Sequence, residues 1–265
     1  MPPFSRRLVL SAAGLLAAVF TLASPTSVRE FHRVLPLSAD GHLSISTYKG
    51  SITVTAWDRL DAEVTARVEP DGTDDDAEEK VARTEVRIDG GGSSVRVKSD
   101  YDKVRERGFL GVFGFSRGTL PLVHYTIRMP ATARLEVEDY KSKTKVVGLH
   151  ADLKLHTYKG EVVIEDLDGA ADLGTYKGDV RISFARYSHA SRFETYKGAF
   201  DVRLPKASRF DLDADGGRRG EVDSDFAVAT RTARHGGEHA RGSVNGGGPT
   251  LRFESSRGSL RLRGI

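Results

Sequence analysis

A tyrosine followed by a lysine recurs at Tyr140-Lys141, Tyr158-Lys159, Tyr176-Lys177 and Tyr196-Lys197. Each pair supplies an apolar ring with a polar tip and a compact positive charge. Lined up, such pairs could hold an anionic polymer, rings against sugar faces and ammonium groups against phosphate or carboxylate. The competing reading is structural: the rings stack to protect a corner, and the lysines, flanked by Glu161, Asp179 and Glu194, form a solvated, charge-balanced row. Both readings require an element that brings distant pairs side by side.

Other spellings of chemistry in the chain are weaker. His235-Gly236-Gly237-Glu238-His239 has the H-x-x-E-H order of inverted zinc peptidases. That mechanism needs both histidines on one helical face, and paired glycines inside the span oppose a helix. Asp211-Leu212-Asp213-Ala214-Asp215-Gly216 has the opening spacing of a calcium loop, but its twelfth position is Val222 and Arg218 and Arg219 lie inside it. Phe210, Leu212 and Ala214 fit a strand alternation that turns the three aspartates together onto an outer, solvated face. There is no G-x-S-x-G, no phosphate-cradling glycine loop leading from a strand into a helix, and no cysteine to act as a thiol nucleophile. The acidic groups outside the repeat are too scattered to nominate a glycosidase pair. No catalytic residue, metal or cofactor is therefore expected.

The element that gathers the pairs is an internal repeat. Thr-Tyr-Lys-Gly occurs at Thr47–Gly50, Thr157–Gly160, Thr175–Gly178 and Thr195–Gly198, with looser copies at Asp139–Ser142, Arg219-Gly220, Arg241-Gly242 and Ser256–Gly258. The unit is roughly 18 to 22 residues, the size of one supersecondary turn. Before each motif apolar residues alternate, as at Leu153 and Leu155, and after it they alternate with switched parity, as at Val162 and Ile164. Period two marks half-buried strands, and the parity switch makes the motif a corner. Gly50, Gly160, Gly178 and Gly198 are expected at equivalent corners, where a sharp reversal favours positive φ. A second corner is expected near Gly148 and Gly169, beside Leu149 and Leu167. Near-identical corners suit in-register stacking better than a hairpin meander. The expected fold is thus all-β: a β-solenoid of about 18 to 22 residues per coil, with one short helix in the N-terminal half. The units from Leu135 to Ile265 are expected to stack as successive coils.

Around this repeat the chain has 265 residues, 38% apolar letters and a net charge of only +3, with charges of both signs. That balance carries no nucleic-acid signal. Residues 1–23 read as an export signal: Arg6 and Arg7, an apolar run from Leu8 to Ala23, and a small-residue site at Thr21-Leu22-Ala23. Ser5-Arg6-Arg7-Leu8-Val9-Leu10 is similar to the twin-arginine consensus, with Val9 where Phe is preferred and Ser11 where Lys is. An uncleaved anchor is the alternative, and the only membrane contact then expected. Residues 28–265 read as one β-repeat domain, irregular over 28–130 and regular over 131–265. Within the first part, strands are expected at Ala62–Val68, Thr84–Ile88, Ser94–Val97 and Val123–Met129. A short helix is expected through Glu78, Glu79 and Val81, capped by the cluster Asp74, Asp75 and Asp76. Val104 to Gly118 is a glycine-rich loop carrying Phe109, Leu110, Val112, Phe113 and Phe115. It is either a lid on the end of the stack or an exposed apolar tip.

The exported leader, the strand-Gly-strand unit, the acidic helix, the strand Tyr125-Thr126-Ile127-Arg128-Met129-Pro130 and the run of x-Gly-x-Val-x-Ile coils together resemble the DUF4097-type family of bacterial β-strand-repeat proteins labelled "putative adhesins". The resemblance covers nearly all of Val28 to Ile265. It implies an exported, non-enzymatic cell-envelope protein with a structural or adhesin-like role, extracytoplasmic, meeting an envelope polymer or a surface protein. The alternatives are an anionic-polysaccharide-binding module using the Tyr-Lys ridge, and a polysaccharide-active enzyme, since other β-helices host lyases.

Overall fold

The computed structural model describes residues 28–73, 75–105, 119–232 and 237–265. The leader, Asp74, the five apolar residues of the glycine-rich loop, and His235 and Gly236 lie outside the described residues. What is described is all-β. The N-terminal part contains β1 (Arg29–Trp57), β2 (Asp61–Glu69), helix α1 (Ala77–Arg83), β3 (Glu85–Asp100) and β4 (Leu122–Pro130). The repeats follow as β5 (Arg134–Val147), β6 (Leu153–Thr157), β7 (Glu161–Leu167), β8 (Ala171–Thr175), β9 (Asp179–Phe184), β10 (Ser191–Thr195) and β11 (Ala199–Leu204). The C-terminal part holds β12 (Phe210–Asp215), β13 (Val222–Ser224), β14 (Ala229–Thr232), β15 (Glu238–Val244), β16 (Thr250–Ser255) and β17 (Ser259–Gly264).

Hydrogen bonding joins these strands into one continuous sheet, because β1 and β5 each run unbroken round the Tyr-Lys corner. The corner divides the sheet into two wings. In the first wing the strands before each corner pair in parallel and in register: Leu43 with Leu135, Leu135 with Leu153, Leu153 with Ala171, and Phe193 with Leu173. In the second wing the strands after each corner do the same: Ile52 with Thr144, Thr144 with Val162, Val162 with Val180, and Val180 with Phe200. The parity switch is what turns both apolar rows inward. Leu153, Leu155, Val162 and Ile164 are all at most 1% exposed. They belong to one core cluster that runs the length of the stack between the wings. Burying each such side chain contributes about 1.5–3 kcal/mol, and with no cysteine present this packing carries the fold.

The second corner also lies where the leucines predicted it. Leu149 and Leu167 are buried, the Gly148 N–H donates to the Glu165 carbonyl at 2.9 Å, and the Asp168 N–H donates to Leu149 at 2.9 Å. Gly148 takes φ 72° there, and its counterpart one coil on, Asp166, takes φ 57°.

Two expectations about order are corrected. The units after Leu204 do not stack in chain order: β16 and β17 lie between β10/β11 and β12/β13, with Phe253 paired to both Phe193 and Ala214 and Leu260 paired to both Phe200 and Val222. Arg241-Gly242 is not a corner either. It sits inside β15, which runs antiparallel to β12 and β14. The stretch around Gly242 keeps the spacing of a unit but lacks the apolar alternation and parity switch that make one, so it folds back as a hairpin partner.

At the other end, the part read as irregular is in register with the rest, Gly50 opposite Ser142 and Ile45 opposite Val97. β2 runs antiparallel to both β4 and the start of β1. Helix α1 packs Val81 into the core at 0% exposure, and the Arg29 guanidinium donates to the carbonyls of Ala82 at 2.7 Å and Thr84 at 2.8 Å. Asp76 stands at its N-cap but makes no side-chain cap bond. Its carboxylate lies 2.7 Å from Lys80 instead, one turn along the helix.

Candidate functional site

The corner is built coil upon coil. The backbone N–H groups of tyrosine and lysine, which a bend would leave without partners, donate to the carbonyls one coil below: Tyr176 to Thr157 at 3.2 Å, Lys177 to Tyr158 at 3.0 Å, Tyr196 to Thr175 at 3.2 Å and Lys197 to Tyr176 at 3.0 Å. The preceding threonine turns inward, and the Thr175 hydroxyl accepts from the Gly178 N–H at 2.7 Å. Gly178 and Gly198 do not take positive φ, which corrects the reason expected for them. Glycine is required by close approach. A Cβ on Gly178 would lie 2.3 Å from the Gly160 carbonyl oxygen, and one on Gly198 would lie 2.1 Å from that of Gly178.

With the corners in register the tyrosines form a ladder. Ring centroids are 4.7 Å apart between Tyr48 and Tyr140, 4.9 Å between Tyr140 and Tyr158, 4.7 Å between Tyr158 and Tyr176, and 4.8 Å between Tyr176 and Tyr196, with planes within 6° of parallel. Tyr48 closes one end by an edge contact to Tyr101 at 6.3 Å. Beyond Tyr196 the next corner carries Ser256 in the ring position and Arg257 in the lysine position, its N–H donating to Tyr196 at 3.0 Å. Tyr48, Lys49 and Arg257 were not among the sequence-predicted binding residues. The first Thr-Tyr-Lys-Gly copy and the looser Ser256-Arg257-Gly258 copy already pointed to them. Because each ring covers the next, interior ring faces are not open to a sugar. The rings from Tyr140 to Tyr196 are 36–38% exposed, and what they present is edges and phenol hydroxyls.

The lysines stand out along the same line. Lys141, Lys159, Lys177, Lys197 and Arg257 are exposed, and none has a carboxylate within ion-pair distance among the described residues. The flanking acids expected to balance them are engaged elsewhere: Glu161 with Arg181, Glu194 with Arg192, and Asp179 accepting from the Ala199 N–H at 2.9 Å. Lys159 and Lys177 hold their ammonium groups 5.5 and 5.4 Å from the centroids of Tyr158 and Tyr176. Only Lys49 is neutralised, by Asp71, whose carboxyl that hydrogen bond holds below its ordinary range.

On the first-wing side the ladder forms one bank of a groove of about 850 Å³, lined also by Glu138, His156, Gly174 and Glu254. Behind the ladder, Asp139 replaces the inward threonine. Burial raises its carboxyl above the usual range, while the N–H and hydroxyl of Ser142 and the hydroxyl of Thr157 donate to it at 2.7, 2.6 and 2.9 Å.

The other sequence candidates lie apart from this line. Glu238 and His239 are on strand β15, with Glu238 accepting from the Val222 N–H at 2.8 Å and His239 3.3 Å from Asp215. Asp211 and Asp213 face outward from β12 and pair across to Ser243 and Arg241. Among the described residues no group of three His, Asp or Glu is placed to hold a metal, and no helix is long and apolar enough to cross a membrane.

No family model matches the chain, and no curated protein does. Solved structures do. A protein of Clostridium sporogenes described as a "putative cell adhesion protein" is 12% identical, with 90% of this chain and 100% of that one covered at a TM-score of 0.50. A "putative adhesin" of Bacteroides fragilis is 12% identical over 89% of this chain and 97% of its own, at a TM-score of 0.34. A "putative lipid binding protein" of Parabacteroides distasonis is 7% identical over 89% and 95%, at 0.28. At that identity the Clostridium structure establishes a likeness of fold and nothing finer, so the fold alone is what this chain has in common with a bacterial protein named for adhesion.

Proposed function

We propose that the chain is an exported, non-enzymatic β-solenoid of the bacterial cell envelope, a single β-repeat domain over residues 28–265 of the DUF4097 type, with a structural or adhesin-like role. It acts outside the cytoplasm by presenting a long rigid surface, and its contact with an anionic envelope polysaccharide is the Tyr-Lys ridge. The in-register parallel pairing supports the solenoid, and the naming of the Clostridium neighbour is in keeping with adhesion. The observation that carries the ridge is its charge: four successive lysines and an arginine, each without a paired acid among the described residues, on a scaffold whose rings are locked together. A row of like charges costs stability unless something of opposite sign meets it. Asp139, the carboxylate behind the rings, has its oxygens accepting from Ser142 and Thr157.

The test is binding to acidic and neutral polysaccharides, with Lys159, Lys177 and Lys197 together replaced by glutamine. Affinity for the acidic polymer should fall and its salt dependence flatten, because the electrostatic share is screened over a Debye length of about 8–10 Å. Folding should hold or gain slightly, since exposed lysines contribute little to stability and their mutual repulsion is relieved. Affinity untouched by the triple change, or none for any acidic polymer, removes the ridge and leaves the structural role.

A further inference from the structure

The tyrosine ladder carries a chemistry that does not depend on the charge of the ridge. We propose that it is a site of oxidative tyrosine coupling, in which a one-electron oxidant, hydrogen peroxide acting through a haem peroxidase, joins neighbouring rings as dityrosine and so ties one coil covalently to the next.

Three observations lead there. The first is which groups an oxidant reaches. The chain has no cysteine, and its one internal methionine, Met129, is 0% exposed. Its single tryptophan, Trp57, has the guanidinium carbons of Arg59 and Arg128 at 4.4 and 5.9 Å from the ring centroid, and positive charge so near opposes the loss of an electron. Of the tyrosines, Tyr101, Tyr125 and Tyr187 are at most 6% exposed. The four that solvent reaches most, Tyr140, Tyr158, Tyr176 and Tyr196, all stand in the ladder.

The second observation is adjacency. Each of these four rings has another phenol stacked on it at 4.7 to 4.9 Å, with planes within 6° of parallel. Radicals formed on neighbours therefore meet inside one chain, at a local concentration that encounters between chains do not approach. The spacing exceeds a bonding approach, so one ring must swing toward the next. The ring edges face solvent, and exposed side chains rotate in picoseconds to nanoseconds.

The third observation is where the proton and the charge go. Phenol hydroxyls at an exposed edge lose their proton to water as the oxidant takes the electron. The Lys159 and Lys177 ammonium groups, 5.5 and 5.4 Å from the centroids of Tyr158 and Tyr176, disfavour a positively charged ring and so favour the neutral phenoxyl radical. Two neighbouring phenoxyls then form one bond between the ring carbons ortho to their oxygens. The hydrogens on those two carbons move to the two oxygens, which restores both aromatic rings. In all, two phenols and one hydrogen peroxide give one dityrosine and two waters, the phenols being oxidised and the peroxide reduced. A bond from Tyr158 to Tyr176 joins residues 18 apart in sequence, and one from Tyr176 to Tyr196 joins residues 20 apart. Each restricts the unfolded chain as a disulfide would.

The experiment is treatment of the full chain with hydrogen peroxide and a haem peroxidase, read by dityrosine fluorescence, intact mass and a proteolytic map. Cross-links should form between ladder neighbours within monomers, with a yield per chain independent of protein concentration. Two double variants separate adjacency from phenol content, and phenylalanine keeps the ring packing in both. Tyr140→Phe with Tyr158→Phe leaves Tyr176 stacked on Tyr196 and should keep that cross-link. Tyr140→Phe with Tyr176→Phe removes the same number of phenols but leaves no two of them stacked, and should lower dityrosine in the monomer at least tenfold. Equal yields from the two variants, dityrosine confined to covalent dimers, or none from the parent chain overturns the proposal. Circular dichroism of both variants checks that a lost cross-link is not a lost fold.

Discussion

The coils from Arg134 to Leu204 and those from Phe210 to Gly264 share one geometry and differ in connectivity. In the first region each unit lies on the one before it in sequence. In the second, the unit formed by β16 and β17 is interposed, and the unit formed by β12 and β13 reaches the rest of the stack through it. Yet the glycine row continues undisturbed: a Cβ on Gly258 would lie 2.3 Å from the Gly198 carbonyl, and one on Gly220 would lie 2.1 Å from that of Gly258. Register is therefore set by what each coil offers its neighbour, an inward apolar pair, a corner and a bare glycine, and chain order is free to depart from it.

The sharpest way to break this equivalence is in the core. Phe253 of the interposed unit and Phe193 of the sequential one are direct partners, both 0% exposed. If the interposed coil is as fully packed, Phe253→Ala and Phe193→Ala should each cost about 3–5 kcal/mol in denaturant unfolding. A cost below about 1 kcal/mol for Phe253→Ala would mean the C-terminal coil only rests against the stack. Hydrogen exchange sharpens the point, since loosening β16 should expose the amides of β12 along with its own.

A smaller effect separates true corners from the look-alike. Gly178→Ala places its Cβ against a carbonyl that belongs to a hydrogen-bonded coil and cannot retreat, so about 1–3 kcal/mol should be lost. At Gly242 an added Cβ meets nothing nearer than 3.9 Å, and the same substitution should change unfolding by no more than about 0.5 kcal/mol. Equal costs at the two sites would put Gly242 back among the corners.

These contrasts also mark what the sequence made legible. The alternation at Leu153, Leu155, Val162 and Ile164, with its parity switch, was enough to read strands, corner and core, because period and spacing are local properties. The ladder followed from the spacing of four tyrosines. Spacing alone could not say that the unit at Gly258 lies nearer Gly198 than the one at Gly220 does, since pairing between units is a choice among similar edges. Positive φ, the expected reason, holds at Gly50 (134°) and Gly160 (159°), but the sequence could not give the reason for Gly178 and Gly198, which lies in a carbonyl of another coil rather than in the residue's own φ. The pairing of Glu161 with Arg181 and Glu194 with Arg192, which leaves the lysines uncompensated, depends on cross-strand neighbours roughly twenty residues away in sequence or two along the same strand. For that reason the flanking acids looked like partners of the lysines.

The smallest expected effect concerns two acids on the ladder's flank whose titration runs in opposite directions. Asp139 stands where other coils carry threonine, and burial raises its carboxyl above the ordinary 3.8 despite the hydrogen bonds it accepts. A raised value means the folded chain holds that proton more tightly than the unfolded chain. The resulting stability is complete below about pH 3.8 and is lost as pH rises through the folded-state value. Asp71, hydrogen-bonded by Lys49, has its carboxyl lowered from 3.8, so its contribution is present above that value and is lost as pH falls through the folded-state one. Asp139→Asn should therefore remove a loss of stability on going from acid toward neutral pH, whereas Asp71→Asn should remove a gain over the acid range. Urea unfolding at stepped pH reads both. The comparison is sharpened by Asp139→Thr, which restores the hydroxyl that accepts from the residue three further on, as Thr175 does from Gly178. That variant should match or exceed the parent at neutral pH. If instead it is less stable at neutral pH and level with it in acid, the ionised carboxylate is stabilised by the Ser142 and Thr157 donors more than burial disfavours it, and the corner at Asp139 owes its place in the ladder to its charge.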